Sequence, residues 1–297
     1  MLDFTPNAVH AGIYSALVRG YDRDEGVTLH VQAPGSTTDP IKLLESGRIQ
    51  FAILDIHDLA IARQRGADIV GIMAIVEQPL AAVIAGPKIT NPRQLQGKTV
   101  GITGVPSDTA VLDSIVAGAG GDPKKVKTVT IGFNAVPDLL AGKVAAATAF
   151  WNDEGVTLQQ KRPGFHIFKV DGYGAPSYPE LVLCATRKEL TSDPNLAHAL
   201  VRALVRGYGV TLQDPEGSQS DLTSRVQGLD PKLVSADLSA VSPAFDGPDG
   251  RVGELSLPAL LAWAKWEVKF GIVKKPIDVY KTFDPKFLAG TANLPGN

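Results

Sequence analysis

Short apolar runs alternate with segments of helical periodicity along most of this chain. The apolar runs predict strands at residues 2–4, 27–31, 51–54, 69–76, 80–85, 99–102, 128–131, 145–150, 166–170 and 181–186. Helical spacing of apolar residues between them predicts helices that include 8–20, 40–46, 59–65, 109–119 and 135–141. Because alternating strands and helices are typical of βαβ units, we predict an α/β fold with mainly parallel sheets.

The alternation breaks once, at Gly86-Pro87, and the segment NPRQLQGKTVGI then begins a second strand–helix series that ends near Glu189. We therefore predict one lobe from residues 1–85 and 190–297, and a second lobe from residues 86–189. The strands at 80–85 and 181–186 would connect the lobes. Two such connections form a hinge with a cleft between the lobes.

The C-terminal part of the chain has a different composition. Residues 213–255 are rich in Asp, Ser, Pro and Gly, and their pattern predicts short helices and loops. The apolar spacing in LSLPALLAWAKWEVKFGIV predicts a longer helix that ends at Gly271. We expect Trp263 and Trp266 on this helix to pack against the first lobe.

Composition excludes several classes of protein. The formal net charge of −2 over 297 residues gives no support to nucleic-acid binding, and the pattern predicts no such partner. No apolar run reaches the roughly 18 residues of a membrane span. Cys184 is the one cysteine and lies in the apolar run LVLCA, so we expect a buried core residue. A strand follows Met1 at once, which indicates a cytosolic protein or a mature form without its secretory leader.

Seven predicted loops follow the carboxyl ends of strands, where open α/β sheets usually bind ligands. None of them contains Lys or Arg, and several contain acidic residues; they are TPNAVH, PGSTTD, DIHD, EQP, GVPSD, GFNAVPD and FWNDEG. A neutral to acidic cleft suits a neutral or protonated heterocycle better than an anion. Asp108 and Asp138 are expected to cap helices.

The same loops supply the candidate ligand-binding residues. Trp151 is placed to stack on a flat ring, with Asn152 and Glu154 accepting hydrogen bonds from ring N–H or amine groups. Further polar candidates from these loops are Asn7, His10, Thr37, Asp55, His57 and Ser107. His57 lies between two acids, but no other His or Cys has a supporting spacing, so no metal site is predicted. GxSxG, HExxH and dinucleotide or P-loop glycine patterns are absent, and no catalytic residue is predicted.

Two segments resemble a known family. ALVRGYDRDEGVTLHV and NPRQLQGKTVGI are similar to the first helix with its following strand, and to the opening of the second lobe, in substrate-binding proteins of bacterial ABC importers. The likeness is to the thiamine-precursor (pyrimidine) binding proteins, whose relatives also recognise riboflavin, taurine and nitrate. The resemblance implies a two-lobed periplasmic-binding-protein fold of type II. It also implies that FWNDEG lies in the cleft, and that Tyr178 and Glu180 bind the ligand.

The resemblance further implies a non-enzymatic solute receptor without a cofactor. It would be a monomer that binds a small molecule and delivers it to an ABC permease and ATPase. Its location would be periplasmic or extracellular and associated with the membrane, with a signal peptide or lipid anchor removed.

Three alternatives remain at this point. The ligand could instead be riboflavin or a sulfonate such as taurine. The same broad family includes pyrimidine synthases, but those carry a cysteine-rich iron-binding motif and a lysine for pyridoxal phosphate, whereas this chain has one cysteine and no lysine in the seven loops. The third alternative is a sensor or partner-binding protein that does not interact with a transporter.

Overall fold

The computed structural model describes residues 1–36, 38–247, 249–292 and 294. Its strands are β1 Ala52–Asp55, β2 Ile69–Val76, β3 Ala81–Ala85, β4 Thr99–Ile102, β5 Lys127–Thr130, β6 Ala146–Phe150, β7 His166–Lys169 and β8 Leu181–Thr186. Its α-helices are α1 Ala11–Val18, α2 Tyr21–Asp24, α3 Asp39–Glu45, α4 Ile56–Gln64, α5 Pro106–Gly118, α6 Ala135–Leu140, α7 Glu154–Lys161, α8 Arg187–Ser192, α9 Pro194–Gln213, α10 Pro215–Arg225, α11 Pro231–Val241, α12 Leu257–Lys269 and α13 Val279–Thr282. Short 3₁₀ turns lie at Ala8–His10, Pro92–Leu95, Pro123–Lys125, Val170–Tyr173, Ser242–Ala244 and Pro285–Leu288.

Asp-Pro pairs begin three consecutive helices, α9, α10 and α11. In each pair the aspartate side chain accepts a hydrogen bond from a backbone N–H of the first turn. Proline at the first helical position costs no hydrogen bond because that N–H has no partner within the helix. These caps explain why the Asp- and Pro-rich region after residue 213 folds as short helices and loops, as its pattern predicts.

The chain forms two compact units. The first contains Met1–Gln78, Pro179–Leu261 and Ile277–Asn297, and the second contains Pro79–Tyr178 and Ala262–Pro276. The first unit has a three-stranded sheet in the order β1-β8-β2. Its longest helix, α9, packs closely on α1, where a Cβ atom at Gly207 would collide with the carbonyl oxygen of Gly12.

The second unit has a five-stranded sheet in the order β5-β4-β6-β3-β7. Strand β4 is parallel to β5 and β6, whereas β3 is antiparallel to β6 and β7. One buried apolar cluster joins the sheet to α6 and α7; it contains Ile84, Ala135, Leu139, Val144, Ala147, Ala149, Leu158 and Phe165. The ends of β4 and β6 therefore lead into loops that are anchored on a packed core.

The α/β class is confirmed, but the prediction of mainly parallel sheets is wrong. Pairing is antiparallel between β1 and β8, β2 and β8, β3 and β6, and β3 and β7. Two predicted strands, 2–4 and 27–31, have no strand pairing in the described structure, and residues 3 and 4 form a bend. Leu2 N–H donates to the carbonyl of Gln32, and Leu29 N–H donates to the buried carboxylate of Asp22.

The borders of the units differ from the predicted lobe borders at three places. Strand β3 hydrogen-bonds to β6 and β7, so it belongs to the second unit rather than to residues 1–85 of the first lobe. Strand β8 lies between β1 and β2 of the first unit, although it was predicted within lobe 86–189. Residues 262–276, with Trp263 and Trp266, belong to the second unit.

Candidate functional site

The first unit brings together three polar residues from two distant segments. Asp55 ends β1 and His57 lies in the first turn of α4, while Glu180 immediately precedes β8. The antiparallel register pairs Asp55 with Leu181, and the N–H of Ile56 donates to the carbonyl of Glu180 at 3.0 Å. We call Asp55, His57 and Glu180 the acid–imidazole cluster.

The acid–imidazole cluster is compact and mostly removed from solvent. One ligand atom from each residue lies within 4.8 Å of those of the other two. His57 Nε2 and Glu180 Oε1 are 3.9 Å apart, and these side chains are 1% and 0% exposed. The Asp55 carboxylate also caps α4, because its Oδ1 accepts the N–H of His57 at 2.7 Å. A buried imidazole with two carboxylates can accept N–H donors from a ligand or ligate a cation.

Asn7 and His10, two predicted ligand contacts, order the start of α1. The Asn7 side chain accepts the N–H of Val9 at 2.9 Å, and the N–H of Asn7 donates to Nδ1 of His10 at 3.1 Å. Since Nδ1 of His10 is an acceptor, the proton of the neutral ring is on Nε2, which lies 2.9 Å from Asp3 Oδ1. Both nitrogens of His10 are thus engaged within the protein.

Thr37, another predicted contact, lies outside the described residues. The neighbouring loop is held by Asp39, whose carboxylate accepts hydrogen bonds from the N–H groups of Gly35 and Ser36 and from the Ser36 hydroxyl. The Ser36 hydroxyl bond and these N–H bonds lower the pKa of Asp39. These bonds tie Gly35 and Ser36 to the first residue of α3.

Trp151, in the second unit, is anchored by its backbone and by its indole N–H. Its N–H groups donate to the carbonyls of Leu80 and Pro79, the latter from Nε1 at 2.9 Å. The ammonium of Lys169 lies 3.5 Å from the ring centroid of Trp151, so one indole face carries a cation. Burial lowers the pKa of Lys169. Lys169 is absent from the seven predicted loops because it lies at the end of strand β7.

Asn152 and Glu154 follow Trp151. Asn152 is 1% exposed, and its Oδ1 has no hydrogen-bond partner within the described part of the chain. Oε2 of Glu154 accepts the N–H of Phe150 at 3.0 Å. Burial, together with the charge of Asp153, raises the pKa of Glu154 to about 7. Glu154 thus closes the turn after β6 and is partly protonated near neutral pH.

Asp108 in the first turn of α5 organises the loop before that helix, and the predicted contact Ser107, which is buried, lies in the same turn. Oδ2 of Asp108 accepts the Thr103 hydroxyl at 2.7 Å and the N–H of Gly104 at 2.8 Å, and Oδ1 accepts the Thr148 hydroxyl at 3.0 Å. Asp108 therefore ties the loop to β6. The predicted helix cap is wrong for this residue, because Val105 is the N-cap of α5 and no side chain in the described structure caps that helix.

Tyr178 is fully buried, with its ring 5.9 Å from that of Trp266 in the second unit. Glu180, two residues later, lies in the first unit. Of the predicted site residues, the structure therefore joins Asp55, His57 and Glu180 in one unit, and it places Ser107, Trp151, Asn152, Glu154 and Tyr178 in the other.

No helix in the described parts of the chain is long and apolar enough to cross a membrane.

A formylaminopyrimidine-binding protein of Halalkalibacterium halodurans is 30% identical over 260 residues, which cover 85% of this chain and 79% of the relative. A 4-amino-5-hydroxymethyl-2-methylpyrimidine phosphate synthase of Legionella pneumophila is 24% identical over 250 residues, covering 82% and 78%.

A solved structure shows the same fold. The alkanesulfonate-binding protein SsuA from Xanthomonas axonopodis, bound to MOPS, superposes with a TM-score of 0.74 at 17% identity, covering 93% of this chain and 95% of SsuA. The predicted periplasmic-binding-protein fold is therefore confirmed. The profile of the NMT1/THI5-like family matches residues 7–218, which is more than two thirds of the sequence. The chain belongs to the NMT1/THI5-like family.

Proposed function

We propose that this protein is the solute-binding component of an ABC importer and that its ligand is an aminopyrimidine related to the precursors of thiamine. The observation that carries the proposal is the similarity to a formylaminopyrimidine-binding protein over 85% of the chain. An extracytoplasmic location and delivery to a permease and an ATPase follow from this function.

The acid–imidazole cluster supports this ligand class. An aminopyrimidine offers amine N–H donors and ring nitrogens in one plane. We propose that Glu180 and Asp55 accept the N–H groups and that His57 fixes the ring. Two carboxylates at this position repel a sulfonate, and the seven loops contain no Lys or Arg, although the ammonium of Lys169 in β7 lies 3.5 Å from the Trp151 ring centroid. The acid–imidazole cluster therefore suits a ligand with N–H donors better than an anion, which proteins commonly bind with Lys or Arg.

In the second unit we propose that Trp151 stacks on the ligand ring with the indole face opposite Lys169. Asn152 directly follows Trp151, and its Oδ1 has no hydrogen-bond partner in the described structure. We propose this oxygen as an acceptor for an N–H group of the ligand. Closure of two lobes on the ligand stays a prediction, which small-angle scattering of the ligand-free and ligand-bound protein tests.

The enzyme alternative is the pyrimidine synthase activity of other family members. The family resemblance implies that such synthases hold iron with a cysteine-rich motif, whereas this chain has one cysteine, Cys184 in the centre of β8. Its thiol is buried, and burial raises its pKa well above the usual value. A buried neutral thiol neither ligates iron nor acts as a nucleophile. The residues therefore favour binding without chemistry.

Isothermal titration of protein that has been unfolded and refolded free of ligand tests the proposal. We expect formylaminopyrimidine to bind and taurine, nitrate and riboflavin not to bind. Glu180→Gln should weaken pyrimidine binding by about 10- to 150-fold, because hydrogen bonds to a charged group contribute about 1.5 to 3 kcal/mol. Glu45→Gln, on the exposed surface of α3, is the matched charge control. Tight binding of taurine without binding of any pyrimidine would refute the proposal.

A further inference from the structure

We propose that the acid–imidazole cluster also binds one divalent transition-metal ion of the zinc class, with ligands from Asp55, His57 and Glu180. Imidazole nitrogen and carboxylate oxygen are the donors that zinc takes in proteins besides thiolate. Three protein ligands are the number found where one coordination position is left for water or a ligand. The donor set therefore suits an exchangeable ion.

The spacing of the donor atoms fits this ion. Zinc binds His nitrogen and carboxylate oxygen at about 2.0 to 2.2 Å, so two such atoms on a tetrahedral ion lie about 3.4 Å apart. His57 Nε2 and Glu180 Oε1 are 3.9 Å apart. That distance is longer than a hydrogen bond but within about half an ångström of the spacing of two ligands. Small side-chain rotations of Asp55 and Glu180 complete the set from atoms already within 4.8 Å.

The backbone fixes the three ligands relative to each other. The hydrogen bond from Ile56 N–H to the carbonyl of Glu180 joins the two segments at the cluster. Oδ1 of Asp55 holds the first turn of α4, and we assign the other oxygen, Oδ2, to the ion. A site whose ligands are held by the fold loses little conformational entropy when the ion enters.

His10 shows the contrasting arrangement in the same unit. Its Nδ1 accepts the N–H of Asn7 and its Nε2 lies at hydrogen-bond distance from Asp3. This imidazole has one carboxylate partner at 2.9 Å, whereas His57 lies beside two carboxylate residues at ligand spacing. The difference selects His57 among the buried histidines.

The metal proposal is independent of the proposed transport function, but both occupants use the same acceptor atoms. An aminopyrimidine and a metal ion should therefore exclude each other. In that case zinc would lower the apparent affinity for the pyrimidine, and saturating pyrimidine would displace the ion.

Cobalt(II) titration of the chelator-treated full chain tests the site directly. We expect visible d–d bands typical of a four-coordinate ion, which saturate at one cobalt per chain and disappear when zinc is added. His57→Gln and Glu180→Gln should weaken cobalt binding by at least about 100-fold, because loss of even an outer-shell partner costs about 10- to 100-fold. His30→Gln removes an exposed imidazole and should leave binding unchanged.

Circular dichroism and thermal unfolding establish that each variant is folded, and Asp55→Asn provides a third variant that keeps the helix-capping oxygen. Absence of stoichiometric cobalt binding would overturn the proposal, and so would cobalt binding that survives all three cluster variants. Titration of the chelator-treated protein with pyrimidine is a separate experiment that tests the proposed function. Binding of pyrimidine without cobalt refutes only the metal site, and cobalt binding without pyrimidine refutes only the proposed function.

Discussion

Glu77 immediately follows β2 in the first unit, and we predict that it makes the stability of the protein depend on pH. Its Oε1 accepts the N–H of Glu254 at 2.8 Å. A Cβ atom on Gly247 would lie 2.5 Å from its Oε2, so the carboxylate packs directly against backbone. Burial, with the nearby charges of Glu254 and Asp246, raises the pKa of Glu77 to about 8. Glu77 is therefore mostly protonated in the folded protein at neutral pH.

The magnitude follows from linkage between protonation and folding. In the unfolded chain Glu77 has its ordinary pKa of 4.5, so folding takes up a proton between that pH and about 8. The native state binds more protons over this range, and the free energy of unfolding therefore falls as pH rises through it. At about 1.4 kcal/mol per pH unit, the cost at pH 7 is on the order of 3 kcal/mol.

Glu77→Gln removes this cost and keeps an oxygen that can accept the N–H of Glu254. Thermal and urea unfolding should show the variant as more stable than the parent by roughly 1 to 3 kcal/mol at neutral pH, and by less near pH 5. Glu45→Gln makes the same side-chain substitution at an exposed position of α3 and is the control. A parent protein whose stability is constant between about pH 5 and pH 8, together with a Glu77→Gln variant of equal stability, would refute the reasoning.

Three further substitutions test the packing by thermal unfolding. Gly207→Ala should lose about 1 to 3 kcal/mol or more, because its Cβ meets the α1 backbone, whereas Gly172→Ala has no neighbour within 4 Å and should be neutral. Asp108→Ala should cost about 1 to 3 kcal/mol, since the buried Thr148 hydroxyl loses its acceptor; an unchanged melting temperature would contradict the role of Asp108. Trp151→Phe should cost about 1 kcal/mol through loss of the bond from Nε1 to Pro79, while weakening pyrimidine binding less than Trp151→Ala.

Strands with uninterrupted apolar runs could be predicted from sequence. Residues 69–76 and 181–186 are strands with the predicted bounds, because nearly continuous burial produces an apolar run that is recognisable without knowledge of the pairing partner. Residues 99–102 also form a strand with the predicted bounds, although Thr99 is exposed. Residues 27–31 have a similar composition but are not paired as a strand in the described structure. The backbone N–H of Leu29 donates to the Asp22 carboxylate instead of to a neighbouring strand. A side chain that replaces a strand partner in this way leaves no periodic pattern in the sequence.

The contacts of the candidate residues could also be predicted only in part from the sequence. The sequence pointed to Trp151 as an aromatic platform, but neither its bond to Pro79 nor the cation of Lys169 follows from spacing along the chain. Pro79 precedes β3 and Lys169 ends β7, so both partners are distant from Trp151 along the chain. Because Lys169 lies on one face of the indole, stacking of a ligand on Trp151 would use the opposite face.

The error in sheet topology and the unrecognised cluster have the same origin. Parallel pairing would place Asp55, at the end of β1, beside Thr186 at the end of β8. Glu180 would then be six residues away, about 20 Å along an extended strand. Antiparallel pairing instead sets Asp55 opposite Leu181, and Glu180 next to the first turn of α4. The direction of β8 thus decides whether three polar residues named separately from the sequence become one buried site.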